Sequence, residues 1–279
     1  MAADIKKLES IAANCRRKVV RMVRSGGSGH LGGALSCLDI LTVLFFHTLN
    51  HQPSNPKYPD RDRFILSAGH KCMALYSVLC QAGYFEEERL DTYGKLGTAL
   101  PGHPNMRKLP GIEANTGALG HGLSIAAGMA LGLRLDGKAS RVFTVLGDGE
   151  LPEGSNWEAI AAAAHHKIDN LIAFIDDNGL QISGKTTEIM NLEPISDRFK
   201  SFGWAVKDID GNNIKEIVGV LENLPFEKGK PSVIIARTVK AKGLSFAEGK
   251  LSYHYWKPSK EELEQAEREL DEAIKAKAV

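Results

Sequence analysis

The chain has 279 residues, 43% hydrophobic and 25% charged, an ordinary globular composition with enough length to bury a full core. A formal net charge of +1 gives no basis for a nucleic-acid or anionic-membrane partner. The opening MAADIKKLESIAANCRRKVV has no apolar signal-peptide core, and no apolar run approaches the roughly 18 residues of a membrane span, so a cytoplasmic, soluble protein is expected.

Ile5–Arg24 carries apolar residues at helical spacing between charges and predicts a first helix. Ser25–Gly33 (SGGSGHLGG) breaks it; so many glycines suit a flexible linker, but a central His is unusual for one. A helix is predicted over Ser36–Leu49, a Pro-rich loop over Asn50–Asp60, a short strand over Phe64–Ser67 and a helix over Ala68–Gly83. Glu86–Leu100 reads as helical and runs into PGHPN; Leu109–Gly122 is Gly-rich, and Leu123–Leu135 is an Ala/Gly-heavy helix. The second half alternates: strand Arg141–Leu146, helix Glu153–His166, strands Asn170–Ile175 and Trp204–Ile209, helix Asn213–Leu221, strand Ser232–Arg237, and a polar helix over Lys260–Ala278. Strands alternating with helices predict an α/β fold, a parallel sheet with helices on both faces. Cys15, Cys37, Cys72 and Cys80 lack CxxC spacing and read as buried free thiols.

The chemistry concentrates at two strand ends. VFTVLGDG (Val142–Gly149) and LIAFIDDNGLQIS (Leu171–Ser183) both finish in Asp, Asn and Gly, about 30 residues apart, as one strand–helix–strand unit requires. Parallel sheets bind ligands at the carboxyl ends of their strands. Asp148 offers a carboxylate, Asn178 a side-chain carbonyl, and Leu180 or a neighbour a backbone carbonyl. Those are hard oxygen donors suited to Mg²⁺, with Ca²⁺ or Mn²⁺ as substitutes, and such an ion draws further ligands from phosphates. Gly147 and Gly149 let the backbone approach a diphosphate. Either segment alone is also an ordinary turn; the ordered pair is the signal.

His30, His70, His103 and His121 each lie beside Gly or Pro rather than on an apolar stripe, and imidazoles converging on one cleft would serve proton transfer at carbonyl and hydroxyl oxygens. Their spacing matches no compact zinc pattern. His47, His51, His165 and His166 lie on or beside helices and read as structural. Gly117–Gly122 (GALGHG) follows no clear strand and fits a dinucleotide fingerprint poorly; it suits a loop pressed against a ligand. Glu153 and Glu158 open the helix after GDG, where acids complement the helix dipole.

Six segments in order, SGHLGG (28–33), RDRFILSAGH (61–70), PGHP (101–104), TGALGHG (116–122), GDGELPEG (147–154) and DDNGLQISG (176–184), together with TVKAKGLSFAEGKLSYHY (238–255), resemble the amino-terminal, diphosphate-binding portion of transketolase, a thiamine diphosphate enzyme. The resemblance covers nearly the whole chain and implies one thiamine diphosphate-binding domain over residues 1–279. It implies that Asp148, Asn178 and the Leu180 carbonyl hold the metal, and that Gly147, Gly149, His70, Glu153 and His254 contact the cofactor. Gly117 and Leu119 would lie near the cofactor rings, and His30, His103 and His254 would act in catalysis. Three residues depart from the family pattern: His121 where Gln is usual, Asn105 where Glu is usual and Tyr255 where Gly is common. Family members continue into a pyrimidine-binding and a carboxy-terminal domain, so the resemblance implies the smaller subunit of a split transketolase. Such a subunit would be inactive alone and would assemble with its partner as an α₂β₂ tetramer, burying the face that carries Glu153, Trp157 and Glu158. The implied reaction moves a two-carbon glycolaldehyde unit between sugar phosphates. The amino-terminal part of a deoxyxylulose-phosphate synthase, or a non-catalytic diphosphate-binding relative, is the rival reading.

Overall fold

The computed structural model describes residues 3–277. Five strands form one wholly parallel sheet: β1 (Arg63–Leu66), β2 (Val142–Gly147), β3 (Leu171–Asp177), β6 (Ala205–Asp210) and β7 (Ser232–Arg237), in the spatial order β1-β2-β3-β7-β6. β2 and β3 are buried along their whole length, which is why they read as unbroken apolar runs rather than alternating ones. Their side chains divide between two cores. Phe143, Val145, Ile172 and Phe174 face the helices α1 (Ile5–Gly26), α2 (Leu31–Ser36), α3 (Leu38–Val43) and α4 (Cys72–Gln81). Val142, Leu146, Ala173 and Ile175 face α5 (Gly122–Leu135), α6 (Gly154–His165) and α8 (Ile195–Ser201). Helices therefore cover both faces of the sheet. The remaining elements are a small hairpin, β4 (Leu180–Gln181) with β5 (Gly184–Lys185), the single turn α7 (Thr186–Ile189), and α9 (Ile214–Leu221) and α10 (Lys260–Ala276). All four cysteines are buried free thiols.

Several sequence-based boundaries shift. SGGSGHLGG is no linker. Gly27 caps α1 in the left-handed conformation, Gly29 pairs with Trp256, and α2 starts at Leu31. Helical propensity disfavours Gly32, but a Cβ there would lie 2.8 Å from the Tyr253 carbonyl; close packing selects the glycine. The single helix expected over Ser36–Leu49 is α2 and α3 joined at Cys37, then a π-helical turn at Leu44–Thr48. The helix expected over Glu86–Leu100 shrinks to a 3₁₀ segment, Glu87–Thr92, held by Arg21 to Glu87 and Asp91; the left-handed Gly94 and Gly97 end regular structure beyond it. α10 packs on α1 through Arg17 to Glu267 and Asp271. The last residue expected in that helix, Ala278, lies outside the described residues.

The register positions the site. β2 and β3 pair Gly147 with Asp176, so the residues that follow, Asp148 and Asp177–Asn178, leave the sheet at one level. β1 ends one turn away, and a 3₁₀ turn, Gly69–Lys71, carries His70 and Lys71 over the same edge.

Candidate active site

A cavity of about 420 Å³ opens at the carboxyl edge of the sheet. It is lined by His30, His70, His103, His254, Gly117, Leu119, Gly147, Asp148, Gly149, Asn178 and Leu180, so eleven of the twelve residues that the resemblance assigned to the site share one cleft. The twelfth, Glu153, stands exposed as the residue before α6 and does not line it. His121 does not join the imidazoles; it is exposed at the start of α5, with Nδ1 3.1 Å from the Leu119 carbonyl. His51 is structural, its two ring nitrogens bonded to the Tyr84 hydroxyl and the Phe45 carbonyl.

The Asp148 carboxylate is held by two backbone donors, Gly149 N–H at 2.9 Å and Gly179 N–H at 2.7 Å, the second reaching across from the β3 loop. Burial and the neighbouring Asp176 push its pKa up to about 7, and Lys71 opposes that rise. Asp148, Asn178 and Leu180 line the same cavity, and a carboxylate, a side-chain amide oxygen and a backbone carbonyl are a hard-oxygen set that suits Mg²⁺; the Asn178 oxygen meanwhile accepts from Leu180 N–H at 3.2 Å. Among the described residues no three His, Cys, Asp or Glu side chains are spaced to hold an ion by themselves. An ion here would complete its shell with phosphate oxygens and water. At Gly149 an added Cβ would lie 2.9 Å from Gln181, and at Gly117, with φ of +152°, 3.0 Å from the His103 ring; both backbones are pressed against neighbours where only glycine fits.

Three buried groups escaped the sequence reading. Lys71, 3% exposed, donates a 2.6 Å bond to Asp176, which is fully buried and also accepts from Ser36 at 2.6 Å and from Thr238. Burial disfavours the Lys71 charge, but Asp176 outweighs it and raises the pKa. Lys240, also buried, donates to the Leu180 carbonyl at 3.0 Å and to His254 Nδ1 at 3.2 Å; burial, then Lys71, lowers it to about 8. Glu150 accepts from Ser67 Oγ, Gly120 N–H and Gly147 N–H, tying the segments after β1, before α5 and at the end of β2 together. An Asp at the end of an all-buried strand was itself a signal, because such a carboxylate needs a partner. Lys71→Met is expected to destabilise the chain by about 3–5 kcal/mol in urea unfolding, because it strands the Asp176 charge. Adding Asp176→Asn should recover most of the loss.

The imidazoles crowd together, with His30 ring centroids 5.2 Å from His70, 5.6 Å from His254 and 6.4 Å from His103. Burial, then Lys71 and the adjacent rings, lowers His70 to about 2. Burial, then Lys240, lowers His254 to about 4. Burial, His103 and Lys240 lower His30 as well. Near neutral pH the cleft therefore offers neutral rings at His30, His70 and His254 beside buried ammonium groups, an arrangement receptive to a polyanion and to hydroxyl or carbonyl oxygens. His103 rides on the PGHP loop, which the buried Tyr76 hydroxyl pins by donating towards the Pro101 carbonyl at 2.8 Å and the His103 carbonyl at 3.1 Å.

Residues 8–273 match the family described as transketolase, thiamine diphosphate binding domain. The chain is 42% identical over 271 residues to an apulose-4-phosphate transketolase subunit from Phocaeicola vulgatus, covering 97% of this chain and 96% of that one. It is 45% identical over 260 residues to the 6-deoxy-6-sulfo-D-fructose transketolase subunit SqwG of a Clostridium species, covering 93% and 94%. The crystal structure of transketolase from Campylobacter jejuni superposes with a TM-score of 0.89 at 35% identity; the match takes in 97% of this chain but 43% of that one. No described helix is long and apolar enough to cross a membrane.

Proposed function

The chain belongs to the transketolase family, as its thiamine diphosphate-binding domain, and on that premise we propose that it is a single domain acting as the amino-terminal subunit of a split transketolase. The observation that carries this reading is the gathering of Asp148, Asn178, Leu180 and four imidazoles in one cleft, in a chain that covers 96% and 94% of two transketolase subunits but 43% of a whole transketolase. The reaction class is transfer of a two-carbon unit from a ketose phosphate to an aldose phosphate.

Asp148, Asn178 and Leu180 would hold Mg²⁺, and that ion would carry the cofactor diphosphate against Gly147, Gly149, His70 and His254. Lys240, beside Leu180, adds a buried positive charge on the same wall. When bound, thiamine diphosphate supplies the nucleophile and electron sink for carbon–carbon cleavage. His30 and His103 stand where substrate oxygens would enter, and their role is to hold and move protons at those oxygens as charge develops.

The partner is a second polypeptide bearing the pyrimidine-binding and carboxy-terminal domains. Its docking surface is the α5–α6 side of the cleft. Ser124 and Gly128 on α5, and Gly154, Ala161 and Ala162 on α6, are exposed small residues that allow close helix approach. Exposed Glu153 and Glu158 edge the same side and would need hydrogen-bond partners once covered. The assembly would be an α₂β₂ tetramer.

The test is reconstitution. The purified chain with thiamine diphosphate and Mg²⁺ should show no two-carbon transfer, and adding the partner subunit should restore turnover on sugar phosphates. Full transfer by the chain alone would refute the split-subunit reading.

A further inference from the structure

Tyr255 departs from the glycine common in the family, and the backbone explains where its ring goes. Gly29 and Trp256 form an antiparallel bridge, with Gly29 N–H bonded to the Trp256 carbonyl at 3.0 Å and Trp256 N–H to the Gly29 carbonyl at 2.8 Å. In an antiparallel ladder a doubly bonded pair is flanked by a pair whose side chains stand closer together. Here that flanking pair is His30 and Tyr255. Their ring centroids lie 4.8 Å apart with planes at 78°, an edge-to-face contact. Ser28 projects from the same face two residues before His30, and its hydroxyl meets the Tyr255 hydroxyl at 2.7 Å.

The clasp is anchored from below. Trp256 is buried, packs against Phe246 and Tyr253, and directs its indole N–H to Glu262, which also accepts from Tyr253 and Ser259. A Cβ on Gly29 would strike Met73, so the bridge sits directly on the core. Tyr255 itself is 53% exposed, so packing into the core does not account for its position.

We propose that Tyr255 is a positioning residue: locked by Ser28 across the Gly29–Trp256 bridge, it stands edge-to-face against His30 and holds that imidazole in one orientation at the mouth of the cleft. The inference deepens the transketolase reading and rests on His30 meeting substrate. It adds a residue that touches neither cofactor nor the reacting carbon.

The ring also shields His30 from water on its outer side. The other groups facing His30 are His70, His103, His254 and Lys240. Removing the Tyr255 ring leaves those groups in place and hydrates the imidazole, which weakens the burial that keeps it neutral.

The experiment compares Tyr255→Gly, Tyr255→Phe and Ser28→Ala in the full chain, alone and reconstituted with its partner. Tyr255→Gly should lower kcat/KM about 10–100-fold through misorientation of His30. Tyr255→Phe and Ser28→Ala keep the ring but break the bond between the two hydroxyls, so both should lie between Tyr255→Gly and wild type. Calorimetric affinity for thiamine diphosphate with Mg²⁺ should stay near wild type in all three variants. NMR titration of isotope-labelled His30 should show its pKa rising towards the ordinary value in Tyr255→Gly and scarcely moving in Tyr255→Phe. Wild-type kcat/KM in Tyr255→Gly, or a His30 titration identical to wild type, overturns the proposal. The titration needs no turnover, so an absence of transketolase activity with every sugar phosphate would refute the function while the clasp is still judged by the His30 resonance.

Discussion

Asp148→Ala is expected to lower the metal-dependent affinity for thiamine diphosphate by at least about 100-fold, the upper end of what losing even an outer partner of a metal ligand costs. Asp148 would be the only anionic donor among the three protein oxygens, and the ion it holds would otherwise screen the diphosphate. The residue has a second task, bonding Gly149 and Gly179 and so joining the β2 and β3 loops. Asp148→Asn loses the charge and keeps only one of the two bonds, since its amide NH2 cannot accept from the other N–H, so it removes the metal ligand's charge while leaving one loop contact in place. Calorimetry on the reconstituted pair, with Mg²⁺ and with chelator, should find both variants insensitive to the ion. Metal-dependent affinity unchanged in Asp148→Ala would remove the assignment.

His103→Ala is expected to lower turnover by about 10²–10⁴-fold, the range for loss of a positioned proton-transfer group, while cofactor affinity stays near wild type. The geometry supports this split. His103 is exposed, its ring packs over Gly117, and its loop is fixed independently by Tyr76. Steady-state kinetics and calorimetry on one preparation decide the matter. Normal turnover, or a defect confined to cofactor binding, would contradict the role.

The strand ends were legible because their chemistry is written in adjacent residues. Gly147–Gly149 and Asp176–Asn178 interrupt fully buried apolar runs, and the parallel register then sets them side by side. Of the glycine- or proline-flanked histidines, His30, His70 and His103 line the cleft and His121 does not, because such neighbours mark a turn without saying which way it points. Lys71 and Asp176 could not be paired from sequence, since 105 residues separate them and neither position has a periodic signature. Glu150 was overshadowed by Glu153, three residues on, as nothing local distinguishes the acid that turns inward from the one that faces water. The helical α2 was hidden by its own glycines, whose low propensity is overridden by contact with Tyr253 and Lys240.

The bonds of Glu150 bear on the thermodynamics of ligand capture. Ser67 follows β1, Gly120 precedes α5 and Gly147 ends β2, and the buried Glu150 carboxylate fastens these three segments before any ligand arrives. A cleft assembled from untethered loops would spend part of its interaction energy on freezing them, and its affinity would fall by that conformational entropy. Here the segments are already fastened, so the free energy of docking a diphosphate is left for the ligand itself and for its orientation.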